Sequence, residues 1–112
     1  MDDCLFCKII AGKIPSAKVF ENDKVFAFKD INPQAPVHVL IVPKTHVANV
    51  LEGVEAGVTE DVLKAAAQIA REQGLAENGF RLITNCGRDG AQSVQHLHFH
   101  LLGGKQLSET MA

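Results

Sequence analysis

Between Thr59 and Gly74, Val62, Leu63, Ala66, Ile69 and Ala70 recur every three or four residues among charged neighbours. That spacing gathers apolar side chains on one face of a helix. Thr59, followed by Glu60 and Asp61, reads as its N-cap with acidic residues in the first turn, where the helix dipole favours them. Elsewhere the period shortens. Val19-Phe20 and Val25-Phe26-Ala27-Phe28 flank the turn-prone Glu21-Asn22-Asp23-Lys24 and predict a hairpin. Asn32 to Pro36 is a proline-bounded loop, and His38 to Val42 is an apolar, β-branched run ended by Pro43, which predicts a central strand. Two further strands are expected, from Gly79 to Asn85 and from Val94 to Leu102, separated by a polar loop from Cys86 to Gln92. Leu5 to Ala11 suits a short helix stopped by Gly12 and Pro15.

Strands in succession around one long helix define an α+β fold, here a five-stranded, mostly antiparallel sheet with one long and one short helix. With 112 residues, 46% of them hydrophobic, and no linker or repeat, the chain is read as one domain spanning residues 1–112. Eleven basic residues face 13 acidic ones without long runs of either sign, which argues against a nucleic-acid surface. No apolar stretch approaches the roughly 20 residues that span a bilayer. Met1-Asp2-Asp3 is acidic where a leader would be basic, so a cytoplasmic protein that does not engage membranes is expected. In such a compartment Cys4, Cys7 and Cys86 read as metal ligands or free thiols, not as a disulfide framework. With no Trp or Tyr, stacking on a ligand falls to the six phenylalanines.

All five histidines lie in two segments, His38 to His46 and His96 to His100. On a strand, His96, His98 and His100 point to one accessible face while Leu97, Phe99 and Leu101 enter the core. Neighbouring members of this row lie about 6.6 Å apart and the outer pair about 13 Å apart at the usual strand rise. A single metal at about 2.1 Å from each nitrogen cannot reach all three on a straight strand. An extended polyanion can, each ring meeting a different oxygen and one nitrogen free to attack phosphorus.

The run His96-Leu-His-Phe-His-Leu-Leu resembles the signature of the histidine-triad superfamily, His-φ-His-φ-His-φ-φ. The resemblance extends from Cys4 to Gly104 through Asp30-Ile-Asn-Pro-Gln-Ala-Pro, the His38 strand ending in Pro43-Lys44, Asn85, and Gly90-Ala-Gln-Ser-Val. Gln92-Ser93-Val94 and Leu102-Gly103-Gly104 are similar to the Hint-like nucleoside phosphoramidate hydrolase branch. It implies hydrolysis of purine nucleoside 5'-phosphoramidates, such as adenylated amines, to the 5'-monophosphate. The alternatives are a dinucleoside polyphosphate hydrolase and a nucleotide- or zinc-binding regulatory module without turnover.

By the same resemblance His98 is the nucleophile, forming a nucleotidyl-imidazole that water resolves; a neutral imidazole suits that task at neutral pH. His38 positions that ring or contacts the phosphate, or is simply a polar strand-end residue. His100 and Ser93 match positions that bind phosphate oxygens and the leaving group, with Ser93 helping to protonate the departing amine. Asn85 would hold ribose or phosphate oxygen, and Asp30 both ribose hydroxyls. Phe6, Ile9, Phe28, Ile31 and Leu40 match the purine slot, although each alone reads as core.

Cys4-Leu-Phe-Cys7 has the spacing of half a tetrahedral zinc site, with His46 and His96 the candidates to complete it. Some relatives bind structural zinc through that set; the other reading is free thiols in a small helix. Catalysis itself needs no cofactor. The resemblance further implies a homodimer with a continuous ten-stranded sheet, and the short tail from Lys105 to Ala112 leaves leaving-group preference open.

Overall fold

Asn22 closes the first hairpin: its Oδ1 accepts from the backbone N–H of Lys24 and of Val25, each at 2.8 Å, between β1 (Lys18–Glu21) and β2 (Val25–Lys29). The computed structural model describes residues 3–112; Met1 and Asp2, part of the acidic N-terminus discussed above, lie outside the described residues. The remaining elements are α1 (Leu5–Ile10), β3 (Val37–Pro43), α2 (Val50–Ala56), α3 (Thr59–Glu72), β4 (Arg81–Ile83) and β5 (Phe99–Gly103). The five strands run in the order β1-β2-β3-β5-β4, and all four pairings are antiparallel. Among the described residues, no helix is long and apolar enough to cross a membrane.

Strand alternation divides the buried residues into two layers. Val25, Ala27, Val39, Ile41, Phe99 and Leu101 pack against the Val62, Ala65, Ala66, Ile69 and Ala70 stripe of α3. On the other face Phe26, Phe28, Leu40 and Val42 meet Phe6 and Ile9 of α1. In β3 and β5 that second face also carries His38 and His100, since Leu40 pairs with His100 and His38 with Leu102.

Four sequence expectations are corrected. Thr59 is not the N-cap of α3; Val58 is, without a side-chain cap, and Thr59 is the first helical residue with a buried, unpartnered Oγ1. Among the described residues there are three helices, because α2 was not foreseen. It is set up by Asn49, whose Oδ1 accepts from Leu51 and Glu52 N–H, while Glu52 reaches back to the Ala48 N–H at 2.8 Å. β4 covers only Arg81–Ile83 of the span from Gly79 to Asn85. β5 starts at Phe99, not Val94, because His96 is drawn out of the ladder toward the end of β3.

Candidate active site

The alternation expected around the three histidines persists where the ladder does not. Leu97 is 1% exposed in the α3 layer, while His96 and His98 turn to the α1 side. They are not the open row expected, however: His96 is 0% exposed and His98 4%. The cause is α1, whose Phe6 packs edge-on against His98, centroids 5.0 Å apart, and against His96 at 6.0 Å.

Hydrogen bonding specifies which nitrogen of each ring is free. His98 Nδ1 lies 2.8 Å from the His96 carbonyl, so Nδ1 carries the proton and donates, leaving the Nε2 lone pair available. Among the described residues Thr59 Oγ1 is the one fully buried side-chain nitrogen or oxygen without a partner. His98 Nε2 is therefore open at its surface although the ring is packed.

The His98 and His100 centroids stand 5.3 Å apart, closer than a straight strand would set them. His38 Nδ1 accepts the Gln34 N–H at 3.0 Å, so its proton sits on Nε2, 2.9 Å from His100 Nδ1 and 3.4 Å from Asp30 Oδ2. His100 Nδ1 accepts, and its own proton is placed on Nε2, a donor for an anionic ligand. Burial pushes the His100 imidazole down to about 4, the neighbouring His98 and His38 acting in the same direction and Asp30 opposing, so the ring is neutral at pH 7.

His38, Asn85 and His100 line one cleft of about 870 Å³ together with Gln34, Arg81 and the tail from Lys105 to Glu109. Asn85 spends one amide hydrogen on the Gly90 carbonyl at 2.7 Å. Phe6, Ile9, Phe28 and Leu40 are gathered in one buried cluster, but Ile31 stands outside it at 92% exposure beside Asp30. Ser93 is exposed and lines a separate groove with Cys4, Leu5 and His46.

Cys4, Cys7, His46 and His96 converge, with their ligand atoms within 4.8 Å of one another. His96 Nδ1 is 3.3 Å from Cys4 Sγ and 3.6 Å from Cys7 Sγ; His46 Nδ1 is 3.3 Å from Cys7 Sγ and 3.2 Å from His96 Nδ1. A tetrahedron with zinc–sulfur at about 2.3 Å and zinc–nitrogen at about 2.1 Å has edges of about 3.4–3.8 Å, so the four residues fit the ion. His96 Nε2 donates to the Pro43 carbonyl at 2.9 Å, which turns the Nδ1 lone pair toward the cluster. Burial lowers the His96 pKa and so favours the neutral, ligating form. Burial, reinforced by Cys4, pushes the Cys7 thiol up to about 11, a proton that a bound dication would displace.

Sequence reasoning assigned no role to Gln34 as the backbone donor to His38, or to Thr84, whose hydroxyl donates to the His98 carbonyl at 2.8 Å. Gln92 is a staple: its Nε2 donates to the Ala48 and Val94 carbonyls and its Oε1 accepts from the Gly87 N–H. The prolines around Gln34 marked a constrained loop, but nothing in its residue type marks a backbone donor.

An antiparallel sheet bearing paired histidines on one face, beside a cysteine–histidine cluster, defines a histidine-triad protein. The HIT domain model matches residues 11–107. Over 113 residues the chain is 42% identical to the purine nucleoside phosphoramidase of Escherichia coli (strain K12), covering 99% of this chain and 95% of that protein. It is 45% identical over 112 residues to the 14 kDa zinc-binding protein of Brassica juncea, covering 95% and 96%. A solved HIT family hydrolase from Clostridium thermocellum superposes with a TM-score of 0.93 at 50% identity, covering 100% and 99%. The chain belongs to the HIT domain family, whose hydrolases it matches along nearly all of its length.

Proposed function

We propose that this chain hydrolyses purine nucleoside 5'-phosphoramidates through a nucleotidyl intermediate on His98. The observation that carries the reading is the 2.8 Å bond from His98 Nδ1 to the His96 carbonyl, which leaves Nε2 as a directed nucleophile beside the His100 ring. The purine enters against Phe6, Ile9, Phe28 and Leu40, with exposed Ile31 as the outer lip. Asp30 receives the ribose hydroxyls, while His100 and Asn85 hold phosphate oxygens. Nε2 attacks the α-phosphorus, the phosphorus–nitrogen bond breaks, and the amine leaves with a proton from solvent, since Ser93 lines the separate groove beside Cys4 and His46. Water then attacks the nucleotidyl-imidazole, loses its proton to solvent and releases the 5'-monophosphate, restoring His98.

Cys4, Cys7, His46 and His96 would hold a structural zinc that fastens α1 to the sheet, and His98 needs no metal for attack. The name of the Brassica relative supports this assignment. A second copy of the chain pairs along β4, one of the two sheet edges, which carries the exposed apolar Ile83 and follows the exposed Phe80. The three free cysteines fit a reducing, cytoplasmic setting.

The test is turnover of an adenosine 5'-phosphoramidate by the parent and by His98→Ala, with mass spectrometry of the acid-quenched parent for a nucleotidyl adduct. An adduct and a loss of at least a thousandfold in kcat are expected. Unchanged turnover in His98→Ala refutes the mechanism, and a faster rate on a diadenosine polyphosphate would assign the other substrate class.

A further inference from the structure

We infer that the Cys4–Cys7–His46–His96 cluster is a positioning device for His98, so that metal loading of the cluster sets the catalytic geometry as well as holding the fold. The inference rests on the readings of His98 as nucleophile and of the cluster as a metal site.

His96 joins the two centres through one residue. Its Nδ1 belongs to the cluster, its Nε2–H donates to the Pro43 carbonyl at 2.9 Å, and its own carbonyl accepts the His98 Nδ1–H at 2.8 Å. That carbonyl orients the attacking ring, yet β5 begins only at Phe99 and no strand ladder fixes residues 94–98. The peptide group that carries it is tied by the Leu97 N–H to the Val47 carbonyl and, two residues on, the Thr84 hydroxyl donates to the His98 carbonyl, each at 2.8 Å. The Leu97 N–H shares one planar peptide unit with the His96 carbonyl, so its bond to the carbonyl of Val47, the residue after the ligand His46, fixes the direction of that carbonyl. The buried His96 ring, held at Nδ1 by the cluster and at Nε2 by Pro43, anchors the α-carbon beside it.

A second route runs through α1. Phe6 lies between the two cysteines in sequence and closes over the His98 ring, centroids 5.0 Å apart. A six-residue helix has little stability of its own, so its seat depends on what anchors it, and its two sulfurs end in the cluster. Losing the anchor loosens the His46 and His96 ends of the Val47–Leu97 peptide contact that aims His98 and frees the ring that backs it. His96, Cys4 and Cys7 are thus positioning residues for His98. A misplacement of about 1 Å in a reacting group, or loss of an orienting partner, costs about ten- to a hundredfold in rate.

The experiment uses the full chain loaded with zinc, stripped with a chelator, and reloaded with Co²⁺. Three readouts are taken: turnover of adenosine 5'-phosphoramidate, the NMR signals of the imidazole ring nitrogens, and the visible bands of the Co²⁺–thiolate centre on addition of AMP. The stripped protein is expected to lose ten- to a hundredfold in kcat with KM changing less than threefold. The His98 Nδ1–H resonance should broaden or vanish in the same sample, and AMP should shift the Co²⁺ bands. The spectral arm is read on folded, loaded protein and decides the matter even where stripping unfolds the chain. Co²⁺ bands indifferent to saturating AMP, or a folded stripped protein with parental kcat, overturn the coupling alone. Failure to bind Zn²⁺ or Co²⁺ overturns the metal reading, and parental turnover in loaded His98→Ala overturns the nucleophile reading.

Discussion

His38 Nε2 stands 2.9 Å from His100 Nδ1, across the antiparallel pairing of β3 and β5. The contact is diagonal, because His38 is paired with Leu102 and His100 with Leu40. Since the Gln34 N–H occupies His38 Nδ1, the proton between the two rings belongs to His38, and His100 is left to donate through Nε2. A backbone amide in a proline-bounded loop thereby fixes the tautomer of a ring on another strand.

His38→Ala is accordingly expected to lower kcat by about ten- to a hundredfold, the usual cost of losing an orienting partner. His38→Gln, whose amide can still donate to His100, should recover part of that loss. Steady-state kinetics on adenosine 5'-phosphoramidate reads both, and equal rates for the alanine variant and the parent would dismiss the relay.

Asp30 divides its carboxylate: Oδ1 accepts the Asn32 N–H at 2.8 Å, and Oδ2 faces His38. Asp30→Asn keeps an acceptor for the turn and removes the charge. If the free face of this group receives ribose hydroxyls, the variant should raise KM for the ribonucleotide and narrow the preference for ribo- over 2'-deoxyribo-substrates. Comparing kcat/KM for the two sugars tests this, and an undiminished preference would remove Asp30 from ribose recognition.

Gly53 in α2 has no room for a methyl group. A Cβ there would meet Leu97 Cδ2 at 2.6 Å and Thr59 Oγ1 at 3.0 Å. Helix propensity alone favours alanine over glycine by about 1 kcal/mol, whereas overpacking a filled core costs about 1–3 kcal/mol. Gly53→Ala should therefore destabilise on balance, and since Leu97 separates His96 from His98, it should also slow turnover. Urea denaturation decides the first point; a more stable variant would show that Leu97 yields freely.

The parts of this architecture that were legible in the sequence are those governed by period. Leu97, Phe99 and Leu101 against His96, His98 and His100 predicted opposite faces correctly, and the α3 stripe is buried as its spacing required. The α2 helix left no such trace, because Leu51 and Val54 are 68% and 66% exposed and form no buried stripe. Its signal was the cap at Asn49 and Glu52. Alternation also could not reveal where hydrogen-bonded pairing stops, since His96 keeps its face while its ring is claimed by Pro43 and the sulfurs. The exposures of Ser93 and Ile31 depend on loop paths that local pattern does not encode.

His100 supplies a pH dependence of defined sign. Burial, with His98 and His38 alongside, holds its folded-state pKa at about 4, below the ordinary value of about 6.5 for an exposed imidazole. Between those values the unfolded chain binds a proton that the native chain refuses. This group's contribution to stability is therefore fully present above about pH 6.5, falls as pH drops through the window, and levels off below about pH 4. His100→Gln removes that titration while keeping a hydrogen-bonding side chain. The urea midpoint of the parent should decline more steeply between pH 6.5 and 4.5 than that of the variant, and the difference cancels titrations common to both. An NMR titration should place the parent's His100 ring well below the exposed-imidazole range. A ring titrating near 6.5, or identical slopes for the two proteins, would mean that the pocket does not exclude the charged form.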